Sequence, residues 1–153
     1  LFINFLSMGL RIPLTPWRLL TWGKPARGDT ALYYPTGDKA EQPEFLVGRI
    51  AGLPGEQVTL VDGKLHIDGN AVTEAPWCDN GTYTTDHPQA MYGKPKGKKY
   101  TTVPEGHYFI LSDGDGGEDA PQDSRVLGWV RKDYLAGKAT RVWWPPTRAR
   151  RIQ

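Results

Sequence analysis

The apolar positions of this chain recur in short runs, not in a helical rhythm. No window of about 11–18 residues holds a convincing 3.6-residue period. Runs rich in β-branched and aromatic residues recur instead, each bounded by turn residues. Thr30–Tyr34 follows the turn Ala26-Arg27-Gly28-Asp29. Phe45–Ile50 is a second run, ending near Gly52-Leu53-Pro54-Gly55, where Pro54 and Gly55 suit the two centres of a type II turn. Gln57–Val61 and Lys64–Asp68 flank Asp62-Gly63, a two-residue hairpin loop that tolerates positive φ at both centres. That register sets Leu60 opposite Leu65 and Val58 opposite Ile67, so all four share one face of a half-buried ribbon. His107–Leu111 reads as a strand covered on both faces, and Gly128–Val130 and Gly137–Trp144 as closing strands. Leu1–Leu6 reads as a core strand; its apolar run is too short for a membrane span of about 20 residues and lacks the marks of a signal peptide. The expected fold is mostly β: antiparallel sheet or a partly open barrel. Trp17, Trp22, Trp129, Trp143 and Trp144 are its large apolar bodies.

The expected organisation is one β domain over residues 1–144, carrying a turn-rich insertion or small subdomain at 76–102. A basic tail, 145–153, follows. Lys94, Lys96, Lys98 and Lys99 in the insertion read as a solvated rim. The tail reads the same way; contact with anionic lipid or nucleic acid is the alternative.

Composition narrows the picture. A chain of 153 residues fits one domain, and 18 Gly with 13 Pro leave little room for long helices. Lys and Arg number 19 against 17 Asp and Glu, so no acidic polymer is implied as an obligate partner. Cys78 is the lone cysteine, which excludes an intramolecular disulfide and a Cys-rich metal site. In the acidic run from Asp113, Gly117 and Glu118 fall where calcium-loop spacing wants Asp or Asn followed by Gly. That run reads as a solvated loop tied down by Arg125. His66, His87 and His107 show no metal spacing. No phosphate loop occurs, and basic and aromatic residues do not interleave as a nucleic-acid surface requires. Neither metal nor cofactor is expected.

Three blocks carry a family resemblance. They are Arg27-Gly28-Asp29, then Arg49-Ile50-Ala51-Gly52-Leu53-Pro54-Gly55-Glu56, then Val103-Pro104-Glu105-Gly106-His107-Tyr108-Phe109 with Asp123-Ser124-Arg125 and Gly128. In order and spacing they resemble the signature boxes of the signal peptidase I (leader peptidase) family. Asn4–Pro25 resembles the segment just after that family's nucleophile box. The resemblance implies a β-fold serine endopeptidase, anchored by upstream membrane spans. It implies cleavage of signal peptides from exported preproteins at the outer face of the cytoplasmic membrane. Its chemistry pairs a Ser nucleophile with a Lys base. Lysine accepts a proton only where apolar burial lowers its pKa, since a solvated ammonium stays charged.

This chain departs from the family at the positions that matter. The Ser-Met-x-Pro box is expected upstream of Leu1. Ser7-Met8 is followed by Gly9-Leu10 and falls past the box. The residue before Arg49, where the family has its Lys, is Gly48. The nearest upstream lysine, Lys39, sits in a turn-like loop. Ser112 replaces the Gly before Asp113, and the loop to Asp123 is three residues longer than the family's. Pro121 stands where the family has the Ser that orients the Lys amine. Arg49, Asp113, Asp123, Ser124 and Arg125 are expected to be structural members of the boxes.

Two readings of function follow. In the first, the chain is a non-catalytic signal peptidase-like module of a membrane-associated complex. Phe45, Leu46, Val47 and Gly48 then form an edge that pairs with an extended peptide or preprotein segment. In the second, it is an active signal peptidase whose Ser lies upstream and whose base comes from elsewhere. Neither reading involves nucleic acid.

Overall fold

The structure, a computed structural model, describes residues 2–4, 10–11, 18–20, 24–35, 45–73, 77, 83, 85–94, 101–112, 122–142 and 150–151. The strands are β1 (Phe2–Asn4), β2 (Leu10–Arg11), β3 (Arg18–Leu20), β4 (Thr30–Tyr33), β5 (Leu46–Gly52), β6 (Val58–Val61), β7 (Lys64–Ile67), β8 (Asn70–Ala71), β9 (His107–Leu111), β10 (Val130–Arg131), β11 (Leu135–Val142) and β12 (Arg150–Arg151). One helical turn, α1 (Ser124–Leu127), and a 3₁₀ turn, Lys132–Tyr134, are the helical elements among the described residues.

The strands form antiparallel sheets that do not close into a barrel. The main sheet runs β1-β11-β4-β5-β9-β10, with β12 added to β11. β6-β7-β8 form a three-stranded sheet and β2-β3 a two-stranded one. The Asp62-Gly63 hairpin forms in the expected register: Leu60 opposite Leu65, Val58 opposite Ile67. Asp62 and Gly63 take φ of 49° and 75°, which this tight loop demands. The Pro54-Gly55 turn closes through the Glu56 N–H donating to the Leu53 carbonyl at 3.1 Å, with Gly55 at φ 85°. β1 falls in the run expected to be a core strand, but among the described residues it ends the main sheet, its Phe2 pairing with Arg141 of β11.

The main sheet has an apolar cluster on each face. One gathers Ala31, Tyr33, Ile50, Tyr108, Ile110, Val130 and Leu135. The other joins Ala51, Phe109 and Leu111 to Val58, Leu60 and Leu65 of the hairpin and to Tyr83 and Val103. β9 contributes to both, as expected of a doubly covered strand. The described part of 76–102 runs back over the hairpin: the Tyr83 amide donates to the Gly63 carbonyl, and the Leu60 amide to the Gly93 carbonyl.

Candidate functional site

The signature blocks meet around the junction of β4, β5 and β9. In the Ala26–Asp29 turn, the Ala26 amide donates to the Asp29 carboxylate at 3.0 Å. The turn is stitched to β5 by Gly28 N–H to Ile50 O, 2.8 Å, and Ile50 N–H to Asp29 O, 2.9 Å. Arg27 reaches Glu56 at 2.6 Å and the Ala51 carbonyl at 2.5 Å. Glu56 in turn accepts from the Leu53 amide at 2.7 Å. Asp29 also pairs with Lys138 of β11 at 2.5 Å. These charged residues therefore lock turns together.

The third block makes a buried ionic knot. Asp123, Ser124 and Arg125 are essentially inaccessible, at 0%, 0% and 1% exposure. Asp123 caps α1, accepting from the Arg125 amide at 2.9 Å. It grips the Arg125 guanidinium through Nε (3.0 and 3.1 Å) and a terminal nitrogen (2.8 Å). Ser112 completes the shell: its amide and hydroxyl both donate to Asp123 Oδ2, at 3.0 and 2.9 Å. A buried pair is tolerated only when its remaining lone pairs are satisfied in this way. A glycine at 112 would lack that hydroxyl bond. Tyr33 is buried nearby and donates to the Gln122 carbonyl at 3.3 Å. Burial, and then the Asp123 charge, push its phenol pKa well above the ordinary value. Tyr33 thus stays neutral and cannot serve as a base at physiological pH.

Gly48 lies in β5 opposite Ala31 of β4, on the face that carries Ile50 and Ile110. A β-carbon built there would stand 2.7 Å from Ile110 Cγ2 and 2.8 Å from the Leu111 carbonyl oxygen. The neighbouring strand has closed over the place where a side chain would begin. No lysine is buried among the described residues. Two of the chain's three serines are committed elsewhere: Ser124 Oγ accepts from the Ile110 amide at 2.8 Å, and Ser112 holds Asp123.

The proposed peptide edge has a distinct geometry. Leu46, Val47 and Gly48 pair with Tyr33, Leu32 and Ala31 on one side. On the other side, pairing with β9 begins only at Arg49, which faces Leu111. Among the described residues no strand takes that side of Leu46–Gly48. Phe45 and Val47 are 43% and 46% exposed, and Phe45 packs on the Tyr34 ring, centroids 4.4 Å apart.

The structure thus sets Arg49 of the second block opposite Leu111, whose neighbour Ser112 holds the Asp123-Ser124-Arg125 knot. Pro121, Asp113, Ser7 and Lys39 lie outside the described residues. Tyr33 and the α1 turn were missed by sequence reasoning. Asp123 followed by Gly128 was an available capping signal, but four residues are too few for a periodic pattern. Among the described residues, no group of three or more His, Cys, Asp or Glu is placed to hold a metal. No helix there is long and apolar enough to cross a membrane.

Residues 5–144 match the family profile described as signal peptidase, peptidase S26. A signal peptidase I of Pseudomonas fluorescens is 29% identical over 174 residues, covering 94% of this chain and 58% of that protein. One from Leptolyngbya laminosa is 29% identical over 128 residues, covering 81% of this chain and 55% of that protein. The chain therefore spans a little over half the length of these curated relatives. A crystal structure of a signal peptidase I from Enterococcus faecalis superimposes with a TM-score of 0.54 at 27% identity, covering 76% of this chain and 97% of that one. With the interlocked turns, the buried Asp-Ser-Arg knot and the shared sheet in place, the conclusion is that this chain belongs to the signal peptidase family, peptidase S26.

Proposed function

We propose that this chain is a non-catalytic, peptide-binding member of its family, holding an extended preprotein segment against the open half of β5. One observation carries the reading. The general-base position is not merely a glycine; the space beside it is occupied by Ile110 and the Leu111 carbonyl. A lysine at 48 could not start from this backbone without displacing Ile110 or the Leu111 carbonyl. The buried Tyr33 phenol, which shares that face, holds its proton. That side of Leu46–Gly48, which no strand takes among the described residues, supports binding: β-strand addition uses main-chain groups for affinity and flanking side chains for choice, and Phe45 and Val47 offer apolar contact there. The protein acts at the outer face of the cytoplasmic membrane, as part of a membrane-associated complex.

The test is a paired assay with the full-length protein and a fluorescent preprotein-derived peptide. Binding without cleavage is expected, weakened about tenfold by Val47→Asp. Efficient cleavage by the unmodified protein overturns the proposal.

A second reading is favoured by one fact: the curated relatives are named signal peptidase I. In it, the protein cleaves signal peptides with a Ser upstream of Leu1 and a base from a partner. Covalent labelling of the full-length protein by a serine-directed acylating probe would establish it.

A further inference from the structure

The unpaired side of β5 is short and has a stop at one end. The Ile50 amide donates to the Asp29 carbonyl, and the Ile50 carbonyl accepts from Gly28. Ile50 therefore turns its main-chain groups toward β4. Such groups alternate in direction along an antiparallel strand, so those of Arg49 and Val47 turn the other way. Arg49 meets Leu111 of β9 there. Among the described residues no strand meets Val47 on that side. Ser112 is next in the line of β9, and its amide and hydroxyl both donate to the buried Asp123, at 3.0 and 2.9 Å. That bonding ties the end of β9 down. The Leu111 carbonyl oxygen also crowds Gly48, 2.8 Å from where a β-carbon would stand. A strand added along Phe45–Val47 therefore cannot continue in the sheet past Gly48, because β9 holds the place.

We propose that the peptide held on β5 is captured by its free amino end, with apolar side chains at its first and third residues. The inference rests on the peptide-binding reading above and names what that site selects. An internal stretch of chain has to bend out of the sheet at Gly48, whereas a chain end stops there. Two facts choose the amino end. Every strand pair among the described residues is antiparallel, and antiparallel pairing is the more stable per residue. A peptide antiparallel to β5 runs in the direction of β9, so its amino end lies at the stop. The polar groups at the stop also suit a donor and not a carboxylate. Both donors of Ser112 are committed to Asp123, and Arg49 is already engaged. The Val47 carbonyl is an acceptor. Opposite Val47, the terminal ammonium donates to that carbonyl in a charge-assisted bond, and the Val47 amide donates to the first peptide carbonyl. Directly opposed residues share a face. The first peptide side chain thus lies beside Val47 and the third beside Phe45, both exposed, with Phe45 braced by the Tyr34 ring.

The experiment is fluorescence anisotropy of the full-length protein with one short peptide. The peptide has valine first and phenylalanine third, polar residues between and after them, and a dye on a C-terminal lysine side chain. Acetylating its amino end, or adding Gly-Ser ahead of the valine, should weaken binding at least about tenfold. Amidating its carboxyl end leaves binding unchanged. Moving the two apolar residues to the second and fourth positions puts them on the other face and should also cost about tenfold. Val47→Pro removes the outward amide and leaves the ladder to β4 its bonds; it should weaken binding about tenfold with an unchanged far-UV circular dichroism spectrum. Equal binding of the acetylated or extended peptide, or weakening by amidation alone, overturns amino-end capture and leaves the peptide-binding reading standing. Failure of every peptide to bind overturns both.

Discussion

The Ile110 side chain stands where a side chain on Gly48 would have to start. A β-carbon at 48 meets Ile110 Cγ2 at 2.7 Å and the Leu111 carbonyl at 2.8 Å. The first obstacle is a side chain and can be trimmed; the second is backbone and cannot. Gly48→Ala is therefore expected to cost about 1–3 kcal/mol, lowering Tm by roughly 3–9 °C for a chain of this size. Ile110→Ala in the same background should recover part of that loss, giving a favourable coupling of at least about 0.5 kcal/mol in a double-mutant cycle. Gly48→Lys alone should lower stability without creating cleavage. Calorimetry and a preprotein assay check both statements.

The Asp123–Arg125 knot should be intolerant of half-measures. Removing one partner strands a buried charge, so Arg125→Met or Asp123→Asn is expected to cost about 3–5 kcal/mol. Ser112→Gly, which deletes only the hydroxyl bond to Asp123, should cost about 1–2 kcal/mol. Denaturant titration orders the three, with Ser112→Gly the mildest.

Arg27 and Glu56 make a different kind of pair. Their side chains are about a quarter and a fifth exposed, and water screens them. Their coupling in a double-mutant cycle should stay near or below about 1 kcal/mol. Raised salt should reduce it, while the Asp123–Arg125 coupling barely moves.

Tyr33 sets an alkaline limit. Its folded pKa is raised above the unfolded value, which is about 10. The folded protein thus holds a proton that the unfolded chain releases above that pH, and unfolding is favoured as pH rises. The stabilisation is full below about pH 10 and is lost progressively above it. Tyr33→Phe has no such proton. Its stability should fall less steeply than the parent's between about pH 9 and 11, as read by urea denaturation.

Local sequence signals announced the parts of this fold that local rules govern. Asp62-Gly63 specified its hairpin and register because two consecutive positive φ values admit few residue pairs. Pro54-Gly55 specified its turn for the same kind of reason. The run His107–Leu111 announced a doubly covered strand by having no polar alternation. What distance along the chain conceals is cross-strand packing. Gly48 could be read as a missing base, but only the approach of Ile110, 62 residues later, shows that a β-carbon there would collide. Ser112 read as a departure from the family; its hydroxyl proves to complete the coordination of a carboxylate 11 residues on. Tyr33 gave no signal, since a tyrosine closing an apolar strand looks like any core aromatic until its hydroxyl partner is known.

The carbonyl of Arg125 accepts the amides of Met91 and Tyr92 at 2.9 and 3.2 Å, so a residue fixed by Asp123 also holds the described stretch of the turn-rich excursion around 91–92. Opening either region breaks the other's anchorage. Amide hydrogens of Met91, Tyr92, Ile110 and Ser112 should accordingly exchange with deuterium as one cooperative unit, at a rate set by the ion pair beneath them.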